Sequence, residues 1–197
     1  VDRIGLQLYT LRKEMTNDFE GTLERVAELG YKEMEFAGYY GRSAGEVRDL
    51  LDRLGLSSPA SHISLDLIRN DLNKQIDIAG EIGQSYIVIP SVPAAERTLS
   101  DFEKHAETLN EVGQKCKEAG LTIVYHNHSF EFEAQGTETG YEHLLAQTDA
   151  NTVYFELDLY WAVNANVSPI SLFRENPGRF PLVHVKDRSP DGEMADV

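Results

Sequence analysis

Cysteine is nearly absent from the chain: Cys116 is the only one in 197 residues. A disulfide framework within the chain and a multi-thiolate zinc site each need more than one thiol, so both are excluded. Basic residues are also scarce, with 18 Lys and Arg against 33 Asp and Glu and a formal net charge of −15. The mean field therefore repels phosphate backbones and anionic bilayers, and the expectation is no nucleic acid and no membrane as partner. No apolar run approaches the roughly 18 residues of a membrane span. The opening VDRIGLQLYT lacks the charged, apolar and cleavage regions of a secretory leader. A cytoplasmic location is expected, or a periplasmic one if a leader has been removed upstream of Val1. Phosphate-binding loops are missing as well. No GxGxxG or GxxxxGK[ST] follows a candidate strand, which removes the main sequence argument for a nucleotide-binding open sheet.

What is present is a regular alternation of β-type and helical runs. Candidate strands are Ile4 to Tyr9, Glu33 to Phe36, Ser58 to His62, Tyr86 to Pro90, Leu121 to His128, Val153 to Tyr160 and Leu182 to Lys186. Helices lie between them. Ser43 with Glu46 and Ser100 with Glu103 have capping-box spacing, and Ser168 before Pro169 suits an N-cap and first helical position. Phe102, Ala106, Leu109, Val112 and Cys116 form one apolar helical stripe, so Cys116 reads as a buried core thiol. His105 and His143 fall on helices beside such stripes and read as surface residues.

Alternation of this kind implies parallel strands joined by crossover helices, and without a phosphate loop the α/β class narrows to a (β/α)8 TIM barrel. A complete barrel usually takes about 250 residues. The expectation is a single (β/α) barrel domain over residues 1–197, truncated after strand seven, with the C-terminal strand missing.

Barrel chemistry gathers at the C-terminal ends of the strands. Those ends supply Gln7 and Tyr9, Glu35, His62, then HNHSFE, then Glu156 and Asp158 in FELDLYW, then His184 and Lys186 in LVHVKD. On an extended strand residues i and i+2 share a face, so Glu156, Asp158 and Tyr160 point together, as do His184 and Lys186, and His126 and His128. Carboxylates turned into a barrel mouth are costly unless paired or coordinating a cation. One or two carboxylates with an imidazole suit Mn²⁺, Mg²⁺, Co²⁺ or Zn²⁺. Plainer readings exist for each group: Asp158 as a helix N-cap or a partner of Lys186, Glu156 as a structural carboxylate, Lys186 as a partner of Asp187 or Glu156, His62 as a rim hydrogen bonder, and Tyr160 and Trp161 as packing. Aromatic faces at a barrel mouth also stack on sugar C–H surfaces.

Four segments, IGLQLYTLR, YHNHSFEFE, FELDLYW and FPLVHVKD, taken in order resemble the xylose isomerase-like superfamily of sugar phosphate isomerases and epimerases, over essentially the whole chain. The resemblance implies a divalent metal ion held by Glu, Asp, His and Glu from successive strands. Carried over, the Asp falls on Asp158 and the His on His184. The first Glu is assigned to Glu131, with His126 or His128 as the substitute ligand, and the fourth ligand is expected beyond Val197. Glu131, His126, His128 and Lys186 are then the expected catalytic groups, and Tyr9, His62, Tyr160 and Trp161 the expected substrate contacts.

The implied activity is a metal-dependent isomerase or epimerase acting on a keto- or aldo-sugar through an enediolate. A base among Glu131 and the two histidines would take the proton, and Lys186 would neutralise the oxyanion. A rival shares the proton abstraction and then expels water or a glycosidic oxygen, as in inosose dehydratases. A third reading is a non-catalytic sugar-binding barrel. The apurinic endonuclease activity found in the same superfamily is opposed by the charge. The expected partner is a small-molecule sugar or sugar derivative, and a homo-oligomer is left open.

Overall fold

The computed structural model describes residues 4–195, which divide into two compact units. The first comprises residues up to 88 with 119–121, and the second residues 89–118 with 122 onward.

The first unit runs β1 (Gly5–Gln7), a 3-10 turn at Leu8–Leu11, α1 (Arg12–Asn17), α2 (Phe19–Glu28), β2 (Glu33–Phe36), α3 (Ala44–Leu54), β3 (Ser57–His62), α4 (Leu65–Ile82) and β4 (Tyr86–Ile89). Its strands are parallel, with Leu6 opposite Met34, Phe36 opposite Ser61 and His62 opposite Val88. Pairing of β2 with β3 shifts register between Glu33 and Glu35, where Pro59 supplies no backbone donor to the ladder. Leu8, Met15, Phe19, Leu23, Met34 and Phe36 are among the residues of its buried core. The Ser43–Glu46 capping box forms as expected, and Gly55 closes α3 in the left-handed conformation that glycine adopts without steric cost.

The second unit runs α5 (Leu99–Glu118), β5 (Thr122–His126), a 3-10 turn at Phe130–Phe132, β6 (Ala134–Gln135), β7 (Glu138–Thr139), α6 (Gly140–Gln147), β8 (Val153–Asp158), α7 (Leu159–Asn164), α8 (Pro169–Glu175), β9 (Leu182–His184), β10 (Asp187–Arg188) and β11 (Met194–Ala195). β5, β8 and β9 pair in parallel, and β6 with β7 and β10 with β11 form small antiparallel ribbons. Parallel strands covered on both faces bury nearly every residue, and Ile123, Val124, Phe155 and Leu157 are fully buried accordingly.

Three sequence expectations shift. The strands at Leu121–His128, Val153–Tyr160 and Leu182–Lys186 stop earlier, at His126, Asp158 and His184, because the backbone leaves the ladder where the polar residues begin. The cap of α5 lies at Thr98, whose hydroxyl and backbone N–H both meet Asp101 Oδ2, and Ser100 is inside the helix. His105 is buried, with Nε2 2.9 Å from the Glu96 carbonyl oxygen and its ring edge-on to Phe102. A backbone acceptor at the imidazole offsets its desolvation, so the surface reading of His105 does not hold. Cys116 is buried as expected, and burial pushes its thiol up to about 11.

α6 approaches α5 where Gly140 has no side chain: a Cβ built there would lie 2.1 Å from Cε2 of the fully buried Phe102. Gly140→Ala is expected to lower stability by about 1–3 kcal/mol through overpacking, read as a drop in the urea midpoint at unchanged slope.

Candidate functional site

Strand register brings the polar residues of the second unit together. Asp158 is opposite His184, and His126 is opposite Glu156. Glu156 and Asp158 are two apart on β8, so all four side chains leave one face of the sheet. All four are buried.

Asp158 is at the centre. Its Oδ1 accepts the Trp161 backbone N–H at 3.2 Å and caps α7. Its Oδ2 lies 3.2 Å from His126 Nε2 and 3.6 Å from His184 Nδ1, and it also receives the Lys186 ammonium. The cap and the Lys186 pair were the plainer readings of Asp158, and both occur while the second oxygen still faces the imidazoles. Burial alone would raise this carboxyl, but hydrogen bonds from His126, His184 and Lys186 outweigh it and hold the group well below its ordinary 3.8.

The backbone of Asp158 is fixed as firmly as its side chain. Fully buried Asn127 accepts the Asp158 N–H at 2.9 Å and donates to the Asp158 carbonyl at 3.3 Å. The amide acts as one more rung where β5 has already ended. His184 Nε2 lies 3.2 Å from Glu156 Oε2, which orients the ring from beneath.

His126 Nδ1 is 3.1 Å from the Pro90 carbonyl oxygen, an atom that can only accept, so in the neutral ring Nδ1 carries the proton. Nε2 then presents a lone pair to a carboxylate oxygen 3.2 Å away, an arrangement that requires a proton or a cation between them. The ligating atoms of His126, Asp158 and His184 all lie within 4.8 Å of one another. The donor set, two imidazoles and a carboxylate with a second layer at Pro90 and Glu156, fits a divalent cation.

The remaining expected residues fall in distinct places. Among the described residues of this unit, Glu131 is not one of the ligating groups gathered around Asp158. It sits on the 3-10 turn beyond β5, fully buried, with Oε1 accepting from the Tyr125 hydroxyl and Oε2 from the His128 N–H, each at 2.8 Å. Both carboxylate oxygens are thus engaged by donors, and His126, expected with His128 as the substitute for Glu131, is the residue that lies beside Asp158. His128 stands beside the site, its ring 5.0 Å from that of His126 and 5.4 Å from that of Trp161. Burial, then the charges of His126 and Lys186, lower His128 to about 4, so its ring is neutral near pH 7. Lys186 Nζ lies 5.8 Å from the Trp161 ring. Tyr160 is buried and its hydroxyl donates to the Gly192 carbonyl at 3.3 Å.

Tyr9 and His62 belong to the first unit. Tyr9 is exposed on the 3-10 turn after β1, under the Arg12 guanidinium at 4.5 Å, and His62 Nε2 lies 3.1 Å from Glu35 Oε1. The sequence reading missed Asn127, whose alternation only placed it opposite the histidines, and Pro90, which precedes the helical run of another element. Nothing local marks either residue.

Residues 23–196 match the family described as the xylose isomerase-like TIM barrel. The chain belongs to that family. A sugar phosphate isomerase/epimerase from Parabacteroides distasonis is 32% identical and superposes with a TM-score of 0.82 over 94% of this chain and 75% of that one. Another protein of that description from the same organism, 24% identical with a TM-score of 0.83 over 95% of this chain and 79% of that one, shares the fold. An inosose dehydratase of Clostridium beijerinckii is 25% identical over an alignment that covers 89% of this chain. The chain spans 65% of the length of that dehydratase. Membership of the xylose isomerase-like TIM barrel family accounts for the parallel strand and helix order in both units. Among the described residues, no helix is long and apolar enough to cross a membrane.

Two predictions follow from the site. Asn127→Ala removes a buried two-bond clamp and leaves the Asp158 N–H without its acceptor, so stability should fall by about 2–3 kcal/mol in urea unfolding. Burial raises Glu131 from 4.5 to about 7 against the lowering effect of its hydrogen bonds. Its protonated form is the one folding favours. The resulting stability is complete below pH 4.5 and is lost as pH rises through about 7, by roughly 3 kcal/mol. Urea unfolding across that window should show the decline in the wild type, and Glu131→Gln should flatten it.

Proposed function

We propose that this chain carries the cation site of a sugar isomerase or epimerase that moves the proton beside a carbonyl group. The observation that supports this most directly is the convergence of His126 Nε2, Asp158 Oδ2 and His184 on neighbouring strand ends, with their ligating atoms within 4.8 Å. These three residues would hold the ion. A divalent cation bound there would polarise a carbonyl oxygen and acidify the adjoining C–H. Two imidazoles favour Zn²⁺, Co²⁺ or Mn²⁺ over Mg²⁺, which prefers an all-oxygen shell.

The chain's own groups divide the rest of the work. His128, neutral and beside Trp161, is placed to accept the α-proton and return it to the neighbouring carbon or the opposite face. Lys186, against Asp158, offers an ammonium to the oxygen on which negative charge develops. The indole of Trp161 supplies an apolar surface for a sugar's C–H face, and Asp158 and Glu156 hold the imidazoles in the orientation that substrate binding requires. The 32% identical sugar phosphate isomerase/epimerase supports this reading.

The relation to inosose dehydratases favours a second outcome of the same first step. With a leaving group β to the carbonyl, the electron pair left by deprotonation expels water or a glycosidic oxygen, and Lys186 or a protonated imidazole donates the proton that the leaving group needs.

Keto-sugars and inososes incubated with Mn²⁺ in D₂O and followed by NMR separate the two. Deuterium at the α-carbon together with an isomeric or epimeric sugar supports isomerisation, and loss of water or aglycone supports elimination. Asp158→Asn should cut either rate by at least roughly a thousandfold. Tight sugar binding with neither exchange nor elimination in the wild type would overturn the enzymatic reading in favour of a binding role.

A further inference from the structure

Glu131 is fully buried, takes no part in the cation group, and both its oxygens accept hydrogen bonds. It closes a tight loop. The carboxylate reaches back over three residues to the His128 N–H and over six to the Tyr125 hydroxyl, so it ties the end of β5 to the turn that follows it.

That turn also aligns rings. The Phe130 ring lies nearly parallel to that of His128, at 5.9 Å and 16°, and the Arg97 guanidinium is 3.4 Å from the Phe130 centroid. Arg97 is itself held: its Nη2 donates to the Val92 carbonyl, and its own carbonyl accepts from Gln135 Nε2 at 2.7 Å. His128 is therefore flanked by Phe130 and Trp161, and its backbone is fixed by Glu131.

We propose that Glu131 is a positioning residue which latches the His128 backbone and so sets that imidazole beside His126 and Trp161. The role in catalysis rests on the isomerase or lyase reading above, whereas the latch itself does not. Chemically the latch works in either protonation state. Ionised, Glu131 accepts from both donors. Protonated, it donates to the Tyr125 oxygen, whose hydroxyl hydrogen turns away, and still accepts from His128. Glutamine can reproduce the second pattern, its amide N–H₂ donating to Tyr125 and its oxygen accepting from His128. A metal ligand could not be replaced in this way, because a neutral amide is a far poorer ligand than a carboxylate.

The test uses amide hydrogen exchange at His128, Mn²⁺ titration, and α-proton exchange of a keto-sugar in wild type, Glu131→Gln and Glu131→Ala. The expected result is a protected His128 amide in wild type and Glu131→Gln, exchange at least roughly tenfold faster in Glu131→Ala, and Mn²⁺ affinity of Glu131→Gln within about threefold of wild type. The sugar's α-proton exchange should fall in Glu131→Ala by lowered kcat more than raised KM, and recover in Glu131→Gln. An unprotected His128 amide in the wild type, or a loss of roughly tenfold or more in Mn²⁺ affinity in Glu131→Gln, would overturn the proposal. Should Glu131→Ala not fold, those two measurements still decide it. A wild type that exchanges no sugar proton would end the enzymatic reading and leave the amide measurement to judge the latch.

Discussion

One buried carboxylate organises the second unit. Asp158 directs one oxygen into the N-terminus of α7 and the other toward two imidazoles and an ammonium. A charge this deeply buried persists only when its neighbours compensate it. The compensation is supplied from three elements, β5, β9 and the segment just after β9, with the backbone itself fixed by Asn127. The elements that meet at Asp158 are those whose side chains would hold a cation, so the requirement to satisfy the charge and the capacity to bind an ion have the same structural origin.

Around that centre the support is layered. His126 is held by the Pro90 carbonyl, His184 by Glu156, and the backbone of His128 by Glu131. Each of these histidines thus has a partner behind it that fixes its direction, the condition that preorganised chemistry would require. The first unit has a polar arrangement of its own. Gln84 bridges Ser58, Ser61 and Tyr39 beneath the strands, and Glu35 meets His62 at their ends. Tyr39 is raised above its ordinary 10 by burial, partly offset by its bonds to Ser61 and Gln84, and it stays a neutral donor in that network.

Much of the fold was legible because short β-type runs, several of them apolar such as Tyr86–Ile89 and Thr122–His126, alternate with helical stripes bounded by glycines and caps, a pattern that survives without tertiary information. That Asp158 and His184 lie together at neighbouring strand ends was legible because strand alternation fixes a face and the barrel rule fixes an end. The surroundings of Glu131 were not legible because the strand stops at His126: past that point period-two alternation no longer applies, and a turn carries the carboxylate to Tyr125 and the His128 N–H. His105 misled in the other direction, since its partner is a backbone carbonyl, which has no sequence signature. Asn127 and Pro90 act through backbone atoms of other segments, and contacts of that kind are set by packing alone.

The central claim is that His126, Asp158 and His184 grip a single divalent cation. Crystals of the protein soaked in Mn²⁺ and measured on either side of the manganese absorption edge test it most directly. The account predicts one anomalous peak in contact with His126 Nε2, Asp158 Oδ2 and a ring nitrogen of His184, with the Lys186 ammonium withdrawn from Asp158. Anomalous density on Glu131, or none near Asp158 at saturating Mn²⁺, would contradict it.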